Sequence, residues 1–275
     1  MPWCAAVTLS RAFVVCLFMA GCATASTSEQ HGGGDDAPVD ALPDAPPDMP
    51  PSPCQLALTT LGFDFESGAS GWTHAVIDGA SAPGWPLDEW QVGTATSGPG
   101  SCHGGTGCWA TRVDANYTSC SRAELESPAI DLSACSGQNV SLVFYSWHDF
   151  WTGTVSGKTG TFFDGGLVEV STDGSTWASV TPSPAYPGTI VINPNISSNE
   201  CVSSDSFQVH NRPGFVGLGG TWQQVTVPLP AAAVTSTFRV RFLYSSGVSF
   251  ANSDAEVDRQ HTRPGWYLDD ITFAN

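Results

Sequence analysis

Residue pairs that could do chemistry are few in this sequence, and the most suggestive is His148-Asp149, flanked by Trp147 and Trp151. A histidine beside a carboxylate can act as a general base, and indole rings can wall a pocket around it. Trp147, however, continues an apolar run, so His148 is expected to serve packing. Nothing else completes a catalytic set. The sequence holds no Gly-x-Ser-x-Gly elbow, no phosphate-binding Gly-Lys-Ser/Thr loop and no His-Glu-x-x-His motif. The other histidines after Cys54 are scattered at His74, His103, His210 and His261. A glycosidase-type pair of carboxylates facing across a cleft would leave no local signature, so that class stays open. Asp164-Gly165-Gly166 could be a calcium-ligand loop, since calcium takes oxygen ligands, or simply a turn that exploits the permissive glycine backbone.

Cysteine is the other reactive type. Nine occur, at 4, 16, 22, 54, 102, 108, 120, 135 and 201. Cys4 and Cys16 fall in an N-terminal export segment. Cys54, Cys102, Cys108, Cys120, Cys135 and Cys201 form an even set, which in an exported protein predicts three disulfides of unspecified connectivity. A zinc site would need paired C-x-x-C or C/H spacing, which is absent. The formal charge is −17, from 9 basic and 26 acidic residues. That balance excludes nucleic acid as a partner, because phosphate contacts need clustered cations. It also argues against electrostatic docking on anionic lipid.

Residues 1–21 read as a lipoprotein signal peptide. Arg11 precedes the apolar run Ala12–Ala20, which is too short to span a bilayer. The run ends Met19-Ala20-Gly21-Cys22, which resembles the lipobox of bacterial lipoproteins and makes Cys22 the lipidation site. Ala23 after the cysteine resembles the outer-membrane sorting pattern. The competing Ala23-Thr24-Ala25 cleavage site would instead release a secreted protein. Residues 22–53 form an Asp/Pro-rich linker: prolines deny ladder donors, and aspartates at 35, 36, 40, 44 and 48 repel one another. Such a chain is expected to be disordered, reaching ~3.1 Å per residue where polyproline-like.

From Cys54 to Asn275 the texture becomes globular and strand-like. Alternating runs 166–172 and 175–180 around Asp173-Gly174 predict a hairpin with a tight primed turn. Further strands are expected at 139–147, 222–229, 237–244 and 266–273, with shorter ones near 61–66, 88–92, 107–112 and 121–126. No useful amphipathic helical window appears. The fold class is therefore all-β, an antiparallel jelly-roll β-sandwich preceded by a signal peptide and linker.

The strands carry an ordered motif series. Phe63-Asp-Phe-Glu-Ser-Gly and Gly71-Trp72 are followed by Trp90-Gln-Val-Gly, Cys108-Trp-Ala-Thr and Leu125-Glu-Ser-Pro-Ala-Ile-Asp-Leu-Ser. Then come Asp164-Gly-Gly-Leu-Val-Glu-Val-Ser-Thr-Asp-Gly-Ser-Thr-Trp, Trp222-Gln-Gln-Val and Gly265-Trp-Tyr-Leu-Asp-Asp-Ile. The series resembles the MAM-like jelly-roll modules of immune-inhibitor-A-type peptidases, over residues 61–275. The segment 181–221 has no counterpart in that pattern. The resemblance implies a non-catalytic module for adhesion or targeting. It also implies a structural calcium where an acidic early strand lies beside the last strand, here Asp64 and Glu66 against Asp269 and Asp270. Strand alternation lets only one of the latter two face such a site, and Glu66 with Asp270 is the expected pair.

The aromatics complete the reading. Trp72, Trp90, Trp109, Trp177, Trp222 and Trp266 sit in strand-like positions and are expected in the core. Trp85, in the loop Ala82-Pro-Gly-Trp-Pro, and Trp151 are the candidates for a ligand surface. The expected function is a lipid-anchored, non-enzymatic binding or adhesion module for an extracellular glycan or surface protein. An extracellular hydrolase and a passive envelope component are the alternatives.

Overall fold

A computed structural model of the chain describes residues 50–77, 88–118, 121–155, 158–191, 209, 211–246 and 263–275. Cys22, Trp85, Cys120 and Cys201, singled out above, lie outside the described residues, as do residues 1–49, which hold the expected signal peptide and most of the expected linker.

Two sheets face each other across one core. Sheet A runs in the order β13 (Gln223–Pro228), β6 (Ser141–Asp149), β15 (Gly265–Ala274), β4 (Cys108–Ala110), β3 (Gln91–Gly93). The short β1 (Gly62–Phe63) also pairs antiparallel with β15. The early strand therefore lies beside the last one. Sheet B runs β10 (Trp177–Ser179), β9 (Gly165–Ser171), β14 (Arg239–Ser245), β5 (Arg122–Glu126), β2 (Thr73–Val76). Alternation explains the packing: Leu142 and Phe144 from β6 and Val225 and Val227 from β13 turn inward to meet Val168, Val170, Leu125, Val240 and Phe242. Aromatic rings lock the two faces, with Phe144 edge-on to Phe242 at 5.1 Å and Trp266 edge-on to Phe242 at 5.6 Å. The jelly-roll β-sandwich is thus the architecture.

A third, small sheet was not foreseen. It joins β7 (Thr152–Val155), β8 (Lys158–Phe162), β11 (Gly188–Ile190) and β12 (Arg212–Gly214), with β8 and β11 parallel. It draws β11 and β12 from the unassigned segment 181–221. Ile190 and Val216 pack with Leu167, Leu243 and Ile77 in a second cluster that caps part of the outer face of sheet B.

Three further expectations change. The Asp173-Gly174 connection is wider than a two-residue primed turn, because Trp177 pairs with Ser171. The Asp173 carboxylate closes it by accepting the Ser175 and Thr176 N–H groups at 2.8 and 2.7 Å. Pro53–Leu58 forms one short helix, α1, at the end of the proline-rich stretch. Ser52 caps it, the Gln55 side chain accepts the Ser52 N–H in return, and Pro53 occupies the first turn, where no donor is needed. Trp177 and Trp222 are also not core residues, as described below.

Two disulfides join described cysteines, Cys54–Cys135 and Cys102–Cys108, separated by 81 and 6 residues. The first ties α1 to the short 3-10 turn Ser133–Cys135. Cross-linking a longer segment removes more entropy from the unfolded chain. Replacing both Cys54 and Cys135 by Ala should therefore lower stability by about 2–5 kcal/mol in urea unfolding, and by more than the Cys102/Cys108 double replacement. Equal costs would contradict this.

Candidate functional site

The site is built on the seven-residue loop Cys102-His-Gly-Gly-Thr-Gly-Cys108, which leads into β4 and is closed by its own disulfide. Three carboxylates hold it. Glu66 accepts the N–H groups of Thr106 and Gly107 at 2.9 and 2.8 Å and the Thr106 hydroxyl at 3.2 Å. Asp269 accepts the N–H groups of His103 and Gly104 at 2.9 and 3.0 Å. Asp270 meets the His103 ring, Oδ2 to Nδ1, at 2.6 Å. These bonds act on the carboxylates differently. The Gly107 and Thr106 N–H groups hold Glu66 below its ordinary range, whereas burial pushes Asp269 up to about 6 despite its N–H partners.

Glycine is required for this seating. A Cβ on Gly105, whose φ is +49°, would sit 2.3 Å from the Glu66 carboxylate, and one on Gly107 would sit 2.3 Å from the Phe65 carbonyl oxygen.

The expectation that only one of Asp269 and Asp270 faces the site is corrected. Trp266 and Leu268 point into the core, Tyr267 points outward, and Ile271 and Phe273 return to the core. Simple alternation would turn Asp270 inward. A β-bulge between Asp269 and Thr272, with Asp270 at φ +48°, inserts one extra residue instead. Both carboxylates therefore reach the same loop.

The other nominated acids are placed as follows. Asp64 accepts the Glu66 N–H at 3.2 Å and lines, with Asp270, Phe63, Thr60 and Thr272, an open groove of about 520 Å³. Asp164 is buried at the start of β9 and accepts the Tyr117 hydroxyl, which in turn accepts the Trp151 N–H at 2.9 Å. It takes no part in the loop's support. Oxygen-rich Glu66, Asp269 and Asp270 suit a hard cation such as calcium by ligand type, although loop N–H groups already take part of their accepting capacity. Among the described residues, one group of possible ligand atoms lies within 4.8 Å of one another, Asp269 with Cys102 and Cys108. Those two sulfurs are bonded to each other.

What the loop presents is aromatic. The His103 ring stacks on Tyr145 at 3.4 Å and meets Trp222 at 5.9 Å, near-perpendicular. The Trp222 indole N–H donates to the Ser101 carbonyl at 3.3 Å, tying that ring to the loop. Trp222, expected in the core, is half-buried on the outer face of sheet A. Strand parity holds the signal that was overlooked: Val225 and Val227 point inward, so Trp222, Gln224 and Thr226 share the other face. Trp177 is likewise off the core, with the Arg241 guanidinium 4.4 Å over its ring. Trp151 is half-buried and stacked on Phe163 at 5.9 Å.

His148 points inward, packed against Phe215 and Phe150. Burial pushes its pKa from 6.5 down to about 4. That burial favours the neutral ring, and its neighbours are aromatic side chains.

No protein-family model matches the chain, and no curated protein matches it. Solved structures do. The K2 cleaved adhesin domain of Lys-gingipain is 17% identical, with a TM-score of 0.38 over 78% of this chain and 99% of that one. The CBM22-1–GH10 modules of the Clostridium thermocellum endo-1,4-β-D-xylanase 10B, complexed with xylohexaose, are 11% identical, with a TM-score of 0.38 over 78% of this chain and 28% of that one. The CBM22-2 xylan-binding domain of Paenibacillus barcinonensis Xyn10C is 11% identical, with a TM-score of 0.32 over 78% and 98%.

The buried histidine gives a pH test. With its folded pKa depressed from 6.5 to about 4, the unfolded chain binds the proton more tightly. The stability linked to His148 is present above pH 6.5 and is lost as pH falls toward 4, by about 3 kcal/mol in total. Urea unfolding at pH 7 and pH 4 should show that loss in the wild type and not in His148→Gln. Equal losses in both would contradict the assignment.

Proposed function

We propose that this chain is a non-catalytic binding module displayed outside the cell, anchored through a lipid on Cys22 and held off the membrane by the linker 22–53. The observation that carries this reading is the purpose to which its reactive side chains are put. Glu66, Asp269 and Asp270 hold a loop. His148 is buried and neutral. What reaches solvent at the loop is a histidine–tyrosine–tryptophan surface, suited to contact rather than turnover. The partner is an extracellular glycan or a surface protein. The expected calcium ion belongs to the same proposal, but Glu66, Asp269 and Asp270 do not bring their oxygens within 4.8 Å of one another, so side chains would have to move to share it; bound there, it would neutralise carboxylates that bind the loop and so stiffen the surface.

The test is a glycan array with a parallel pull-down against envelope proteins, each with and without chelator, using the full chain. Saturable binding without turnover is expected, together with a lower melting temperature in chelator. In the same strain, Cys22→Ser should move the protein out of the detergent phase. Turnover of a bound polysaccharide would overturn the non-catalytic reading, and wild type found solely in the culture medium would overturn the anchor.

A further inference from the structure

Resting on the binding-module reading, we propose that the ligand is a neutral glycan and that it lies on the outer face of sheet A, across Trp222, His103 and Tyr145, with Gln224, Thr226 and Thr272 beside them.

The strand register assembles this surface. Gln224 on β13 pairs with Tyr145 on β6, and Thr226 pairs with Val143, which pairs in turn with Thr272 on β15. Three adjacent strands thus present two rows, about 7 Å apart along the strands. Aromatic rings occupy one end, and amide and hydroxyl groups follow. The rings are held in advance. His103 is clamped between Tyr145 and the Asp270 carboxylate, and Trp222 is tied to Ser101. A ligand would therefore not have to order them, which saves side-chain entropy on binding. Even so, the His103 and Asp270 side chains remain 30% and 31% exposed, and Gln224 and Thr272 are exposed.

The chemistry of the surface selects among ligands. A pyranose ring offers an apolar C–H face to an aromatic ring and hydroxyls around its edge to amide, hydroxyl and carboxylate groups. This surface supplies both kinds of contact. A lipid or a protein partner anchored by aliphatic side chains would need exposed large aliphatics. Among the described residues the exposed large hydrophobics are Leu56, Val76 and Leu218, and none belongs to the strands of sheet A. Charge settles the glycan class. Asp270 stands at the rim. The described cations lie elsewhere or are paired: Arg122, Lys158, Arg212, Arg239 and Arg241 belong to strands of the other two sheets, Arg112 is paired with Glu89 and Asp114, and Arg263, just before β15, lies near Asp149 at the end of that strand away from Thr272. Among the described residues a polyanionic glycan would find no cation beside these rings, so the fit is to an uncharged one.

The experiment is affinity electrophoresis of the folded, oxidised chain lacking residues 1–22, in gels containing hydroxyethylcellulose, xylan, mannan, dextran or, as the anionic control, polygalacturonate. At least one neutral polymer should retard the protein. Trp222→Ala should weaken that retardation at least ten-fold, and Gln224→Ala, at an exposed position whose side chain makes one long hydrogen bond to the Tyr145 hydroxyl (3.4 Å), should weaken it several-fold. Trp177→Ala, on the opposite sheet, should leave it unchanged, and circular dichroism would confirm that each variant is folded. Retardation that survives both sheet-A changes, or that is lost with Trp177→Ala alone, would overturn the site. Retardation by polygalacturonate alone would overturn the neutral class. Capture of a specific protein with no retardation on any polymer would overturn the glycan assignment while leaving the binding-module reading intact.

Discussion

Backbone N–H groups of one glycine-rich loop, turned onto the carboxylates of Glu66 and Asp269, are the interaction on which the rest of this surface depends. A carboxylate as buried as Asp269 is costly unless hydrogen bonds replace its lost water. A loop rich in glycine is entropically costly to order. Each problem solves the other: the loop gives its donors to the acids, and the acids fix its conformation. The Cys102–Cys108 disulfide closes the loop from beneath, with both sulfurs bedded among Ala95, Ala110, Trp147 and Tyr267.

The bulge in β15 couples this support to the exposed face. Without the extra residue, Asp270 would enter the core, where its charge has no partner, and His103 would lose its clamp. With it, one strand delivers Asp269 to the loop backbone and Asp270 to the loop's one large side chain. The positive φ at Asp270 is tolerable because aspartate is among the non-glycine residues that adopt it most readily. Sheet B meets its own polar residues differently. There Arg241 bridges Glu169 and Glu124, and Arg212 joins the second Glu169 oxygen, so charges on the outer face neutralise one another and present no aromatic surface free of cations.

Much of the sandwich was legible in the sequence because its central strands alternate. β6, β9, β14 and β15 each carry apolar residues at every second position or in a buried run bounded by turn residues, and they fall within a residue or two of expectation. The third sheet was not, since Thr152-Gly-Thr-Val and Arg212-Pro-Gly are short and lack alternation, and their pairing is long-range. β2 was missed because all four of its residues are exposed, which leaves no pattern. The resemblance grouped Asp64, Glu66, Asp269 and Asp270 as candidate ligands of one ion; that three of them accept hydrogen bonds from the Cys102–Cys108 loop was not legible. Alternation assigns one face to each member of an Asp-Asp pair, and a bulge has no signature in a single sequence. The Cys-His-Gly-Gly-Thr-Gly-Cys segment was the overlooked clue, since three glycines within a small cysteine-closed loop point to close backbone approach.

Amide hydrogen exchange on the oxidised wild-type protein tests the central claim most directly. The N–H groups of His103, Gly104, Thr106 and Gly107 should be strongly protected, although they lie in a surface loop, and Glu66→Ala should release Thr106 and Gly107 while the strands of sheet A stay protected. Exchange of those four amides in the wild type at the rate of an unstructured chain would contradict the account.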